Sequence, residues 1–209
     1  MWRMKLLIVG ATGGLGRVTA AEAVRRGHEV SALVRDPAAA DLPEPVLKVH
    51  GNVLEPPSLG AAVAGRDGVI CVLGTPSPRQ PSTLLADGTS NLVAAMTSAQ
   101  VPRLVCVTLL GTDDSRRNAS LFYRHVILRV LAPMVPDKEN QERVVRESGL
   151  DWVLVRPPRF VSGPGRPPRI IRAGDNGRTG RISRQQLARV LIDAAEQPGY
   201  VRQAIAVGS

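Results

Sequence analysis

Short apolar runs alternate with helical patterns along almost the whole chain, and this alternation narrows the possible folds more than any other property of the sequence. The runs are Lys5 to Val9, then EVSALVR ending at Arg35, VLKVHGNV, GVICVLG, RLVCVTLLG and WVLVRPP. Helical patterns fill the gaps at Gly14 to Arg26, with Gly27 as a stop, and at Lys138 to Glu147. A longer one, Ser82 to Gln100, places Leu84, Leu85, Leu92, Val93 and Met96 at helical spacing. Strand and helix in strict succession predict βαβ units and a parallel sheet, and the near-continuous Val, Leu and Ile content predicts strands covered on both faces. From Pro157 to Gly180 the pattern dissolves into Pro, Gly and Arg, with only RIIRAG resembling a strand. A last helix, Arg184 to Glu196, has Ser183 as its N-cap, and QAIAVG reads as the final strand. The expected fold is α/β: a doubly wound, mostly parallel sheet with helices on both faces and a small irregular C-terminal lobe at 157–182. A chain of 209 residues accommodates this as one domain, 1–209.

Composition removes several function classes. No apolar run approaches the roughly 18 residues of a membrane span. The basic flank at the N-terminus leads into an apolar stretch that soon ends in glycines, unlike a signal-peptide core, so a cytoplasmic protein without a membrane partner is expected. Cys71 and Cys106 sit in apolar strand-like runs and are expected as buried thiols. His28, His50 and His125 are isolated, which gives no basis for a metal site. The net charge of +9 is carried almost entirely by arginine, with lysine only at Lys5, Lys48 and Lys138.

Gly10, Gly13 and Gly16 form G-x-x-G-x-x-G where the first strand turns into the first helix. Gly10 permits the tight turn, Gly13 lets backbone N–H groups approach a pyrophosphate, and Gly16 lets the helix pack close to the sheet. The helix N-terminus adds unpaired N–H groups and partial positive charge. Gly10, Thr12, Gly13, Gly14, Leu15 and Gly16 are therefore the expected cofactor-binding turn of a dinucleotide site. At the tip of the second strand, LVRDP offers Arg35, whose guanidinium can hold a ribose 2′-phosphate with two parallel hydrogen bonds. This predicts NADP(H) in preference to NAD(H), with Asp36 as the counter-indication.

The succession LLIVGATGGLGR, VSALVRDP, GNV, VLGT, GTSNLVAAM and RESGLDWVLVRPP resembles the atypical short-chain dehydrogenase/reductase group. Within it, the resemblance is to the NADP-binding Rossmann branch of flavin reductase, biliverdin-IXβ reductase and NmrA-like proteins, and it covers nearly the whole chain. It implies that Asn52 and Val53 lie against the adenine, that Leu73, Gly74 and Thr75 follow the cofactor backbone, and that Val107 and Thr108 end beside the nicotinamide. It also implies that Lys138 stands by the nicotinamide ribose; read from its local sequence alone, Lys138 is equally a solvated residue at a helix start.

Two positions depart from the flavin-reductase branch: Leu109 stands where a serine follows the threonine, and Arg159 where a histidine follows the paired prolines. Both fall on the expected substrate side. The Tyr-x-x-x-Lys pair of other short-chain dehydrogenases is absent, since Ile127 follows Tyr123 at that spacing. A conjugated acceptor removes the need for that pair, because it delocalises the charge and takes its proton from solvent. The expected activity is hydride transfer from NADPH to a flavin-like or quinone-like acceptor, with Thr108 and Lys138 at the reactive end. The alternative is an NmrA-like redox sensor that binds the dinucleotide and catalyses nothing.

Between Arg156 and Arg189 nine arginines face one acid, Asp175. This basic stretch is either an ordinary solvated lobe or the receiver of an anionic acceptor such as a flavin phosphate, or of an acidic partner. Nucleic acid fits it poorly, since Phe160 is its one aromatic residue and no stacking series is present. A basic assembly or RNA-associated protein built on this fold would rest on charge alone.

Overall fold

The computed structural model describes the chain except for residues 1, 2, 76, 78, 164–166, 174 and 209 and the side chains of residues 113 and 114. Of the nine lobe arginines, Arg166 lies outside the described residues. The first half runs β1 (Lys5–Val9), α1 (Gly14–Arg25), β2 (Glu29–Val34), β3 (Leu47–His50), the short α2 (Gly60–Val63), β4 (Gly68–Cys71) and α3 (Leu84–Ser98). It continues with β5 (Arg103–Val107), the short α4 (Leu128–Val130), α5 (Val135–Glu147), β6 (Asp151–Arg156), β7 (Arg159–Val161), β8 (Arg169–Arg172), β9 (Arg181–Ser183), α6 (Arg184–Glu196) and β10 (Gln203–Gly208).

Eight strands form one sheet in the order β3-β2-β1-β4-β5-β6-β10-β8, and only the β10–β8 pair is antiparallel. Both faces are covered. Leu6 and Ile8 of β1 join a core with Ala20 and Ala23 of α1 and Leu187, Leu191 and Ile192 of α6. Leu7 and Val9 face the other way, into a core with Leu92 and Met96 of α3 and Val145 of α5. This double coverage is why the strands read as continuous rather than alternating apolar runs. The α1–α6 layer is also joined by charge: Arg26 bonds Glu22, Asp193 and Glu196, and the buried His28 bonds Glu196 at 2.9 Å.

Two boundaries differ from the sequence pattern. The segment 157–182 is more ordered than its composition implies, since it holds β7, β8 and the start of β9; β8 extends the main sheet, while β7 pairs with β9 in a separate two-stranded sheet. Strands of three and four residues are too short to show a period. The other difference is α5, which begins at Val135 rather than Lys138 because Pro136 sits in the first turn, where a missing N–H costs nothing.

Strand order reverses between β1 and β4, which lead in opposite directions from the centre of the sheet. In an open α/β sheet, the crevice at the carboxyl ends of such strands is where ligands bind.

Candidate functional site

A cavity of about 890 Å3 occupies that crevice, within the range of small-molecule and cofactor sites. It is lined by the glycine turn, the ends of β1, β2, β4, β5 and β6, Lys138 of α5, one side of the segment 123–134 (Tyr123, Ile127, Val130, Leu131 and Met134), Pro157 to Phe160, and Arg184. Every residue singled out from the sequence lies on its wall: Gly10, Thr12, Gly13, Gly14, Leu15, Gly16, Arg35, Asn52, Val53, Leu73, Gly74, Thr75, Val107, Thr108, Leu109, Lys138 and Arg159.

The glycine turn is built by backbone constraints. Gly10 has φ +87°, and a Cβ there would stand 2.8 Å from the Val72 carbonyl oxygen. The Gly13 N–H closes the turn onto the Gly10 carbonyl at 3.1 Å. Gly13 is also the N-cap of α1, with no side-chain cap and no acidic residue in the first turn. The first-turn amides therefore face the cavity without an internal anion, a fit for a pyrophosphate.

Arg35 follows the last residue of β2 and is exposed, with no ion-pair partner among the described residues. Asp36 is occupied locally, its Oδ1 accepting from Ala38 N at 3.0 Å and Ala39 N at 3.2 Å. It forms the following turn, so its presence has a structural cause independent of a ribose hydroxyl. Asn52 likewise shapes its own turn, donating to Glu55 and accepting from Leu54 N, while Val53 is buried against Gly88 of α3.

Lys138 is buried, which excludes the solvated reading. Its Nζ donates to the Val107 carbonyl and to Gln141 Oε1, both at 3.0 Å. Gln141 is held in turn by donating to Thr89 Oγ1 at 2.9 Å. Burial pushes the Lys138 pKa below the ordinary lysine value of 10.5, against the pull of the neighbouring thiols and carboxylates.

One helical turn along α5, Glu142 collects a buried network. It accepts from Thr108 Oγ1 at 2.6 Å, from Thr112 Oγ1 at 3.0 Å, and from Arg156 Nε at 2.9 Å and Nη2 at 2.5 Å. The Thr108 hydroxyl proton is committed to this carboxylate, so toward the cavity its oxygen acts as an acceptor. The Thr108 N–H bonds the Val155 carbonyl at 2.9 Å, fixing the end of β5 against β6.

The sequence pattern missed the opposite wall. Tyr123, Ile127, Val130, Leu131, Met134, Pro157, Pro158 and Phe160, beside the expected Leu109, make that end of the cavity apolar. Burial raises the Tyr123 phenol well above its ordinary pKa, so it stays protonated. Arg184 was also missed, although its neighbour Ser183 is the expected N-cap, in a capping box with Gln186. A Cβ built on Gly14 would lie 3.2 Å from Arg184 Nε, and the guanidinium stacks on Phe160 at 5.0 Å from the ring centre. This stacking holds a cation beside the glycine turn. The lobe arginines thus divide: Arg156 is in the core, whereas Arg159 and Arg184 are exposed at the cavity.

The sequence pattern of NAD(P)H-binding proteins matches residues 10–198. The chain belongs to that NAD(P)H-binding family. Among solved structures, a short-chain dehydrogenase/reductase of Veillonella parvula in complex with NADP superposes with TM-score 0.83 at 18% identity, covering 100% of this chain and 95% of that one. The anaerobilin reductase ChuY of Escherichia coli O157:H7 gives TM-score 0.79 at 20% identity, over 98% and 96% of the two chains. An uncharacterized chloroplastic protein of Arabidopsis thaliana is 28% identical across 92% of this NAD(P)H-binding chain and 72% of its own length. A photosystem II assembly factor of Synechocystis is 27% identical over 77% of this chain, which spans 46% of that relative. The expected fold and family resemblance are both borne out. No helix among the described residues is long and apolar enough to cross a membrane.

Proposed function

We propose that this NAD(P)H-binding protein is an NADPH-dependent oxidoreductase that reduces a flat, conjugated acceptor of the flavin or quinone type. The observation that carries this reading is the shape of the site: one cavity joins an uncapped glycine turn to an apolar chamber, with Thr108 and Lys138 on its wall. When bound, the dinucleotide supplies the hydride. The turn amides and Arg184 hold its pyrophosphate, and Arg35 holds the 2′-phosphate. Lys138 donates to the nicotinamide ribose, and Thr108 accepts from the carboxamide. The apolar wall stacks the acceptor and excludes water, while Arg159 at the rim meets any negative charge that the acceptor carries. Tyr123 has no lysine one helical turn along to activate it, so the acceptor takes its proton from solvent. The whole chain acts as one domain, with 157–182 as the acceptor-side wall. Free thiols at Cys71 and Cys106, opposite each other on β4 and β5, suit a reducing compartment, the cytoplasm.

The deciding experiment is NADPH oxidation with a panel of flavins and quinones. Turnover supports the reductase; tight NADPH binding with silence across the panel establishes instead a dinucleotide sensor, the reading favoured by the Leu109 and Arg159 departures.

Cofactor choice is tested by two arginines. Arg35→Ala is expected to weaken NADPH by about 1.5–3 kcal/mol and leave NADH nearly unchanged, since only the 2′-phosphate contact is removed. Arg184→Ala should weaken both cofactors alike, by roughly tenfold, because both carry the pyrophosphate. Titration of each variant with each cofactor reads the difference; equal losses in Arg35→Ala would remove the NADP assignment.

Lys138→Met keeps the side-chain length and removes the ammonium. Single-turnover hydride transfer should fall by roughly a hundredfold, more than NADPH affinity does, because a misplaced reacting ring costs more than a lost contact. The exposed Arg143→Met on the same helix should leave both quantities unchanged. In the wild type, the ammonium contribution is present below the pKa of Lys138, which burial lowers from the ordinary lysine value, and is lost as pH rises through it. Wild-type rates in Lys138→Met would take this residue out of the site.

A further inference from the structure

Six large apolar side chains are exposed among the described residues, and four of them, Leu121, Phe122, Val126 and Val130, belong to one helical run between β5 and α5. Phe122 is 62% exposed and Leu121 59%. The run, Leu121 to Val130, contains a π turn at Tyr123–Ile127 and continues into α4. Its inner face is already satisfied: Tyr123, Ile127 and Leu128 pack with Leu109, Leu110 and Ile171. The outer apolar face is therefore a second one, which the fold of this chain does not use. Helices that bury one stripe normally present polar residues opposite it.

Charge identifies what this face suits. From Ser115 to Pro136 the chain carries Arg116, Arg117, Arg124 and Arg129 and no acidic residue. Arg116, Arg117 and Arg129 are exposed, and Arg124 is half-buried. A second copy meeting this face through a twofold axis would bring each arginine against the same cationic patch, with no acid in the segment to pair it. Apolar side chains interleaved with arginines are instead the pattern of an element lying at the interface of an anionic bilayer. The face is also continuous with the site: Val130 is exposed and lines the cavity, and Ile127, Leu131 and Met134 carry an apolar track inward to Leu109.

We propose that the run Leu121 to Val130 docks this protein on an anionic membrane surface, from which a lipid-dissolved quinone enters the apolar end of the cavity. The substrate half of this statement rests on the reductase reading; the docking half does not. No helix among the described residues is long and apolar enough to cross a membrane, and an amphipathic run can still lie on one, so the docking concerns the surface alone.

The test sediments the full chain with vesicles of phosphatidylcholine, alone or with roughly a third phosphatidylglycerol. Phe122→Glu/Val126→Glu is the test variant. Both side chains are exposed and neither lines the cavity, so NADPH affinity serves as the check on folding. Leu54→Glu, exposed elsewhere, is the control. The expected results are wild-type binding to anionic vesicles roughly tenfold or more tighter than to neutral ones, weakened by salt, and loss of that binding in the double variant alone. Reduction of a long-tailed quinone held in the vesicles should fall by a similar factor in the double variant, with reduction of a short, water-soluble quinone unchanged. Failure of the wild type to bind anionic vesicles overturns the docking, as does a double variant that still binds. A wild-type dimer that the double variant dissolves also overturns it and makes the occupant a second copy. Vesicle binding that depends on Phe122 and Val126, with no quinone reduced by any form, upholds the docking and sinks the reductase reading.

Discussion

Arg156→Met is expected to destabilise the fold by about 3–5 kcal/mol, measured by denaturant unfolding at neutral pH. The Arg156 side chain is buried at the end of β6, and its guanidinium makes two hydrogen bonds with the equally buried Glu142. Two charges removed from water in this way offset each other. Taking Arg156 away leaves Glu142 with its desolvation cost and only the more distant Arg146, 3.9 Å away, as a salt-bridge partner. Glu142→Gln should also destabilise, since the two hydrogen bonds from the Arg156 guanidinium then meet a neutral amide. Replacing both at once, as Arg156→Met with Glu142→Leu, should recover much of the loss, since both members of the closely bonded buried pair are then removed together. Single variants that each cost less than about 1 kcal/mol would mean that water reaches the pair. The site should register the change too. Without Glu142, the Thr108 hydroxyl is released from its 2.6 Å bond and can turn its proton toward the cavity.

Gly16→Ala should reduce affinity for either dinucleotide by roughly a hundredfold or more, the equivalent of about 2.7 kcal/mol. A Cβ at that position falls on the Gly10 carbonyl oxygen and 2.6 Å from the Ala11 Cα. These are backbone atoms of the turn itself, so no side chain can swing aside. The helix must retreat from the sheet and carry its N-terminal amides away from the cavity. Gly13→Ala is the informative comparison, since its Cβ meets only the Gly10 carbonyl oxygen at 3.4 Å, an ordinary contact. It should fold as the wild type does and lose affinity through crowding of the ligand alone. Isothermal titration with NADPH, beside circular dichroism of both variants, separates the two causes. Equal affinities in Gly16→Ala and wild type would mean that α1 does not need its close approach to β1.

What could be read from the sequence follows the range of the interaction involved. Strands β1 to β6, the glycine turn and Arg35 announce themselves through neighbours a few residues away, and each stands where the pattern places it. Lys138 does not. Helix α5 buries Asp137, Lys138, Gln141 and Glu142 together with Val145, a stripe at helical spacing made of polar side chains. Hydropathy reads such a stripe as a solvated face. Its partners Thr89, Thr108, Thr112 and Arg156 arrive from α3, β6 and the end of β5, so nothing local reveals the match. Asp137, bonded to the first amides of α3 through Leu85 N and Ala86 N, is concealed in the same way. The wall from Tyr123 to Met134 escaped for a different reason. A π turn followed by a three-ten turn breaks the 3.6-residue period on which recognition of a helix depends. Arg184 needed knowledge that α6 begins beside α1, a contact between opposite ends of the sequence.

That last contact bears on how the protein is made. The face of α1 that supports the glycine turn is covered by α6, and Arg26 reaches its acidic partners Asp193 and Glu196 only across this interface. A ribosome delivers β1, α1 and β2 long before it delivers residues 184–196. Throughout that interval Ala20, Ala23 and the outer side of β1 lack their cover, and the turn lacks Arg184. The nascent chain therefore carries an exposed apolar face until α6 emerges, the condition under which chaperones engage and misassembly competes. Cofactor can stabilise the product fully only after α6 has docked, so a dinucleotide-binding site begun with β1 is completed only with α6.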